Sequence, residues 1–182
     1  MSRSPRIGFP GAWYHVMNRG AGKNNIYTSE EDYHLFLAVL NDTISYFDIE
    51  LHAYCLMNNH YHLLIHTPLA NISKAMQYLG SAYTRKYNQN HRSDGPIFRG
   101  RFKSILVDDD SYLLHLSRYI HLNPVKAHIT KEPKDYPWSS YNAYISPEKP
   151  TNWLHTEFIL NMLGDKEQIK LYALFVNDLE SI

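Results

Sequence analysis

The chain has 182 residues, 44% of them apolar, and a formal net charge of zero. That suffices for one domain with a real core, and Cys55, the single cysteine, excludes an internal disulfide and fits a reducing, cytoplasmic setting. No run approaches the roughly 18 apolar residues of a membrane span, and no apolar stretch follows a basic start as in a signal peptide, so no membrane role is expected.

"AWYHVMNRG" (12–20) is rich in β-formers and ends in Asn-Arg-Gly, which predicts a strand. "SEEDYHLFLAVLNDTISYF" opens with Ser29 as N-cap and acids in the first turn, and Tyr33, Phe36, Leu37, Leu40 and Ile44 recur at helical spacing. "IELHAYCLM" (49–57) alternates as a strand does, Asn58-Asn59 suits a two-residue hairpin turn, and "HYHLLIHT" (60–67) is the returning strand. A helix over 72–91 follows despite Gly80, and "RSDGP" breaks it. "FKSILV" (102–107) predicts a strand, and 108–123 a helix with acids in its first turn that Pro124 helps to end.

The order β-α-β-β-α-β-α contains the ferredoxin-like β-α-β-β-α-β pattern. The fold class is α+β, with the usual strand order placing the first and third strands in the centre. An added helix and a C-terminal helical tail complete it. Residues 1–129 are expected to form the catalytic unit. Residues 130–182 hold an aromatic connector, "KEPKDYPWSSYNAY", and two short helices from "TNWLHTEFILNML" and "KEQIKLYALFVNDL" packed on the core.

Charge is segregated beneath the zero total. Residues 1–29 hold Arg3, Arg6, Arg19 and Lys23 and no acid. Residues 71–107 hold Lys74, Arg85, Lys86, Arg92, Arg99, Arg101 and Lys103 against Asp94 alone. Residues 30–70 hold six acids and no Lys or Arg. Two basic blocks on a neutral chain either form one basic face for a polyanion or are a solvated surface that happens to segregate.

Strand alternation puts His60 and His62 on one face, roughly 7 Å apart. Two imidazoles so placed either bind one divalent ion or are hydrogen-bonded structural groups near a turn. A site needs a third ligand. Tyr119 and Asn123 in "RYIHLNP" stand at i, i+4 on one face of the last core helix, at the edge of a stripe formed by Leu113, Leu116 and Ile120. An Asn amide oxygen suits Mg²⁺ or Mn²⁺, and imidazole tilts the preference towards Mn²⁺; Asn123 before a proline is equally a helix-end residue. A free phenol has a pKa near 10, so a tyrosine nucleophile needs help of the kind a metal-bound phosphate gives. Tyr83, Tyr87 and Tyr112 are rivals to Tyr119 that lack such a ligand one turn on.

"HYH" resembles the HUH motif (His, bulky hydrophobic, His) of single-strand endonucleases. "WYHVMNRG", "AYCLMNNHYHLLIHTP", "FRGRFKS", "YIHLNPVKA" and "DYPWSSY" together resemble, in order from about residue 12 to 145, the bacterial REP-associated tyrosine transposases, relatives of the single-tyrosine insertion-sequence transposases. Tyr61 is aromatic where the family is usually aliphatic, and Asn58 stands where it commonly has proline. The resemblance implies that His60, His62 and Asn123 bind Mg²⁺ or Mn²⁺. It implies that Tyr119 attacks single-stranded DNA at repetitive extragenic palindromes (hairpins flanked by a short single-stranded tetranucleotide), leaving a 5′-phosphotyrosine and a free 3′-OH. No small-molecule cofactor is implied, and the protein would act as a monomer or homodimer.

Arg19, Arg99, Arg101 and Lys103 would then hold the DNA backbone near the metal, and Arg85 and Lys86 would follow a hairpin stem. Trp13, Tyr14 and Trp138 are candidates to stack flipped bases, or core residues. His15 is either a partner of the ligands or simply packed. Two other readings stand beside this one: a hairpin-binding protein with little or no cleavage, and a metalloprotein unrelated to nucleic acid.

Overall fold

The structure, a computed structural model, describes residues 8–146 and 152–178. Arg3 and Arg6 of the first basic block lie outside them. Strands β1 (Ala12–Arg19), β2 (Glu50–Met57), β3 (His60–Thr67) and β4 (Lys103–Val107) alternate with helices α1 (Glu30–Phe47), α2 (Ile72–His91) and α3 (Asp110–Lys126) in the expected order. They form one antiparallel sheet in the order β2-β3-β1-β4. That is the ferredoxin-like arrangement, with β3 and β1 central.

The two faces of β3 separate two cores. Tyr61, Leu63 and Ile65 pack with Phe36 and Leu40 of α1 and with Ala75, Leu79 and Tyr83 of α2. Leu64 packs on the other face with Leu113, Leu116 and Ile120 of α3. Period-2 alternation therefore sends His60, His62 and His66 to the α3 side. The β2–β3 hairpin turns at Asn58-Asn59, pairing Met57 with His60. Gly20 follows β1 where the chain runs close to itself: a Cβ there would meet Asn24 O at 2.0 Å. Only glycine fits that approach.

Pro124 does not end α3, which runs on to Lys126. A proline leaves the carbonyl four residues back without its N–H partner. Asn123 compensates: its Nδ2 donates to Tyr119 O at 2.9 Å and reaches Ile120 O at 3.4 Å. One side chain thus covers the carbonyl that the proline frees, and the helix continues. At the other end Asp109 caps α3 by accepting from Ser111 N.

The aromatic connector closes an edge. Leu56 N donates to Trp138 O and Ser140 N to Tyr54 O, so residues 138–140 pair with β2. The hydroxyls of Tyr136 and Tyr144 donate to Leu56 O and His52 O. An edge strand otherwise offers a row of open backbone groups. Beyond it lie α4 (Tyr141–Ile145), α5 (Glu157–Asn161) and α6 (Gln168–Asn177). Tyr141, Tyr144, Ile159, Leu160, Tyr172 and Val176 join the α3 core. At its centre His121 is fully buried, bonded to Tyr172 Oη and Ser140 Oγ at 2.7 Å each. Among the described residues no helix is long and apolar enough to cross a membrane.

Candidate active site

Strand register assembles the site. Directly opposite residues of an antiparallel pair share a face. Arg19 of β1 stands opposite His60, Met17 opposite His62, and Lys103 of β4 opposite Met17. The backbone of Arg99 is tied to the end of β1 by a bond from its N–H to Arg19 O, 2.9 Å. A cleft of about 930 Å³ opens over these groups, and Tyr119 and Asn123 of α3 complete its wall. Among the described residues four cations line it (Arg19, Arg99, Arg101 and Lys103) and no acid does. A neutral chain has concentrated positive charge where the histidines are.

The histidines are held by partners. His15 Nε2 lies 2.8 Å from His62 Nδ1, and His60 Nδ1 lies 2.7 Å from Asn59 Oδ1. An amide oxygen only accepts, so His60 Nδ1 carries the proton and its Nε2 keeps a free lone pair. If His62 donates likewise to His15, its Nε2 is free as well. Metal-binding imidazoles are oriented in this way by a bond from the second ring nitrogen. Burial, then the neighbouring His15 and His60, push the His62 pKa down to about 3. Burial brings His15 down to about 4, and burial and Arg19 lower His60. All three rings are neutral at pH 7, as ligands must be.

The third candidate ligand fits the same test. Nδ2 of Asn123 faces two helix carbonyls, which leaves Oδ1 as its available atom. His60, His62 and Asn123 thus offer two imidazole nitrogens and one amide oxygen to one cleft, a donor set suited to Mn²⁺ or Mg²⁺. The ring of Tyr119 stands edge-on to His62 and His15, with centroids 5.7 and 5.9 Å away. Tyr119 is 40% exposed, open to a substrate. Lys126 Nζ lies 5.2 Å from its ring centroid, a cation beside the phenol.

Of the rival tyrosines none lines the cleft. Tyr83 is buried in the opposite core, where its hydroxyl donates to Ile26 O. Tyr87 packs on His91, and Tyr112 is exposed two turns before Tyr119. Arg85 and Lys86 are not brought to the cleft either, because α2 lies across the sheet from α3. Of the two readings of Trp13, Tyr14 and Trp138 the packed one holds: Tyr14 is buried, Trp138 stacks on Tyr33 at 4.4 Å, and Trp13 packs on His52 and His66.

Sequence reasoning left His15 undecided and missed Asn59 and Lys126. The register of β1 against β3 would have found His15. Lys126 stands two helical turns after Tyr119 on the same face, but only if α3 passes Pro124. A second cluster was missed altogether. Glu50, His52 and His66 hold ligand atoms within 4.8 Å of one another, the one such group of three His, Cys, Asp or Glu residues among the described residues.

The chain is a member of the IS200-like transposase family, whose members process DNA and whose model ("Transposase IS200 like") matches residues 9–123. The matched stretch runs from just before β1 to Asn123. Its likeness is to the REP-associated tyrosine transposases in particular. A "Putative REP-associated tyrosine transposase" of Haemophilus influenzae is 30% identical over 131 residues, covering 65% of this chain and 74% of that one. The solved structure of a REP-associated tyrosine transposase bound to a REP hairpin superposes with a TM-score of 0.70 at 19% identity, covering 85% of this chain and 92% of that one. At that identity the superposition speaks for the fold.

Proposed function

We propose that this transposase nicks and rejoins single-stranded DNA beside hairpins of the repetitive extragenic palindrome type, with Tyr119 as nucleophile. The observation that carries the reading is the convergence of Tyr119, His60, His62 and Asn123 in one cleft lined by cations and no acid. Family membership and the hairpin bound by the structural relative support it.

The chain's own residues would act as follows. Arg19, Arg99, Arg101 and Lys103 grip the phosphates of the single strand and bring one to Tyr119. The phenol oxygen attacks phosphorus and forms an O–P bond. The bond from phosphorus to the 3′ oxygen breaks, and the phenol proton ends on that oxygen as a 3′-OH. The product is a 5′-phosphotyrosine that keeps the bond energy, so a 3′-OH can attack it in turn and rejoin strands. Lys126, with Nζ 5.2 Å from the Tyr119 ring centroid, places a cation beside the nucleophile. His60, His62 and Asn123 would hold Mg²⁺ or Mn²⁺, which when bound makes phosphorus more electrophilic and neutralises charge in the transition state. His15 and Asn59 fix the imidazoles.

Arg85 and Lys86, across the sheet, are proposed only as contacts to a hairpin stem that extends beyond the cleft. Residues 1–129 carry the chemistry in this reading, and Tyr141, Tyr144, Ile159, Leu160, Tyr172 and Val176 of the C-terminal segment brace α3 from behind.

The test is a labelled hairpin oligonucleotide with a single-stranded flank, incubated with Mn²⁺ or Mg²⁺ and run on a denaturing gel. A covalent protein–DNA band is expected. Binding without any adduct, across both metals and varied flanks, would leave a hairpin-binding protein. No binding at low salt, where phosphate contacts are strongest, would overturn both.

A further inference from the structure

Four residues beyond His62 on the same face of β3 stands His66, roughly 13 Å along the strand. The β2–β3 register slips between Leu51 and Ala53, so His52 is the extra residue of a β-bulge. Bulges re-aim side chains. Here the slip pairs Glu50 with His66 and brings His52 beside both. His66 Nδ1 lies 2.7 Å from Glu50 Oε2, and His52 Nε2 lies 3.6 Å from the same oxygen.

His52 is the unexplained member. It is 3% exposed, yet neither ring nitrogen has a hydrogen-bond partner among the described residues. Buried polar groups are nearly always satisfied, and an exception calls for a reason. Its nearest charged neighbour, the Glu50 carboxylate, stands beyond hydrogen-bond reach.

We propose that Glu50, His52 and His66 form a second metal site, of the zinc class, separate from the His60–His62 cleft. Two imidazoles and one carboxylate are an established zinc donor set. Donor atoms of a tetrahedral zinc ion, with bonds of about 2.0–2.1 Å, lie roughly 3.3 Å apart. The two separations from Glu50 Oε2, 2.7 and 3.6 Å, straddle that value, and all three donor atoms lie within 4.8 Å of one another. Glu50 is 38% exposed on its side chain, which leaves the site an entry path.

The C-terminal segment covers the same place. His155 N donates to Leu51 O at 2.8 Å, and the His155 ring lies 5.7 Å from that of His52. Phe158 packs on Trp13 at 4.8 Å. His155 is the nearest candidate for the fourth position, and an ion held by all four would staple this segment to the sheet.

Zinc titration of the full chain against a chromophoric competitor tests the site. In a His60→Ala/His62→Ala background, one Zn²⁺ per chain is expected to bind and to change tryptophan fluorescence, because the Trp13 ring lies 4.3 Å from that of His52. Glu50→Gln, which is isosteric, and His66→Ala, at the half-open rim, should each lower the affinity on the order of 100-fold or more. In the otherwise wild-type chain Glu50→Gln should remove one equivalent. No zinc bound in the background, or affinity unchanged by both substitutions while circular dichroism reports a folded chain, would overturn the proposal.

Discussion

His15 Nε2 stands 2.8 Å from His62 Nδ1, across two central strands whose register places both rings on the α3 face of the sheet. The contact decides which nitrogen of His62 is left to bind an ion. With His15 accepting, Nδ1 is the anchor and Nε2 is left as the proposed ligand atom. His15→Ala is expected to weaken Mn²⁺ binding by about 10–100-fold without removing a ligand. Isothermal titration against Mn²⁺ would show it. Unchanged affinity would mean that His15 is only packed.

Asn123 has two tasks that a double substitution separates. Asn123→Ala removes a proposed ligand and uncovers the Ile120 carbonyl, at a cost of about 1 kcal/mol in stability. Adding Pro124→Ala restores an N–H to that carbonyl. The double variant should regain thermal stability and still bind Mn²⁺ poorly. Recovery of both in the double variant would remove Asn123 from the ligand set.

The cleft cations should read out in salt dependence. Arg101→Ala and Lys103→Ala should each weaken single-strand binding. Each should also reduce the slope of log affinity against log salt by about 0.7 for every phosphate that is no longer neutralised. Arg85→Ala and Lys86→Ala should leave binding of an unstructured single strand unchanged and weaken only binding of a hairpin. Fluorescence anisotropy over a salt series checks both.

Stability should fall with acid in a defined window. Burial holds His62 and His121 at about 3 and His15 and His52 at about 4, against an ordinary value of 6.5. In the unfolded chain these rings take up protons as pH falls through 6.5. In the folded chain they do so only near 3 to 4. The unfolded state therefore binds more protons between those limits, and unfolding becomes easier as pH drops through them. In metal-free buffer the melting temperature should be level above pH 7 and decline from about 6.5 towards 4. A level profile across that window would contradict the burial of these rings.

Much of the site is legible in the chain itself. His60 and His62 share a face because strands alternate, and Tyr119 and Asn123 share one because helices repeat every 3.6 residues. Both rules are local, so the sequence alone carries them. What escaped depends on non-local pairing. Without its bulge the β2–β3 hairpin would continue to pair Leu51, not Glu50, with His66, and nothing in "IELHAYCLM" signals the slip at His52. Pro124 reads as a helix end because proline removes a hydrogen bond, and the compensating reach of Asn123 is a side-chain geometry that no pattern records. Arg85 and Lys86 belong to a basic block along the chain, but the crossover places α2 on the far side of the sheet. Trp138 reads either as a stacking platform or as a packed residue, and the pairing of the connector with β2 decides for packing.

Tyr119 is proposed to form the covalent bond to DNA. Mass spectrometry of the trapped adduct, after nuclease and protease digestion, tests it most directly. The account predicts a nucleotide linked through its 5′ phosphate to Tyr119, and no adduct from Tyr119→Phe despite undiminished hairpin binding. A nucleotide found on Tyr112 or Tyr83, or an adduct that persists in Tyr119→Phe, would contradict it.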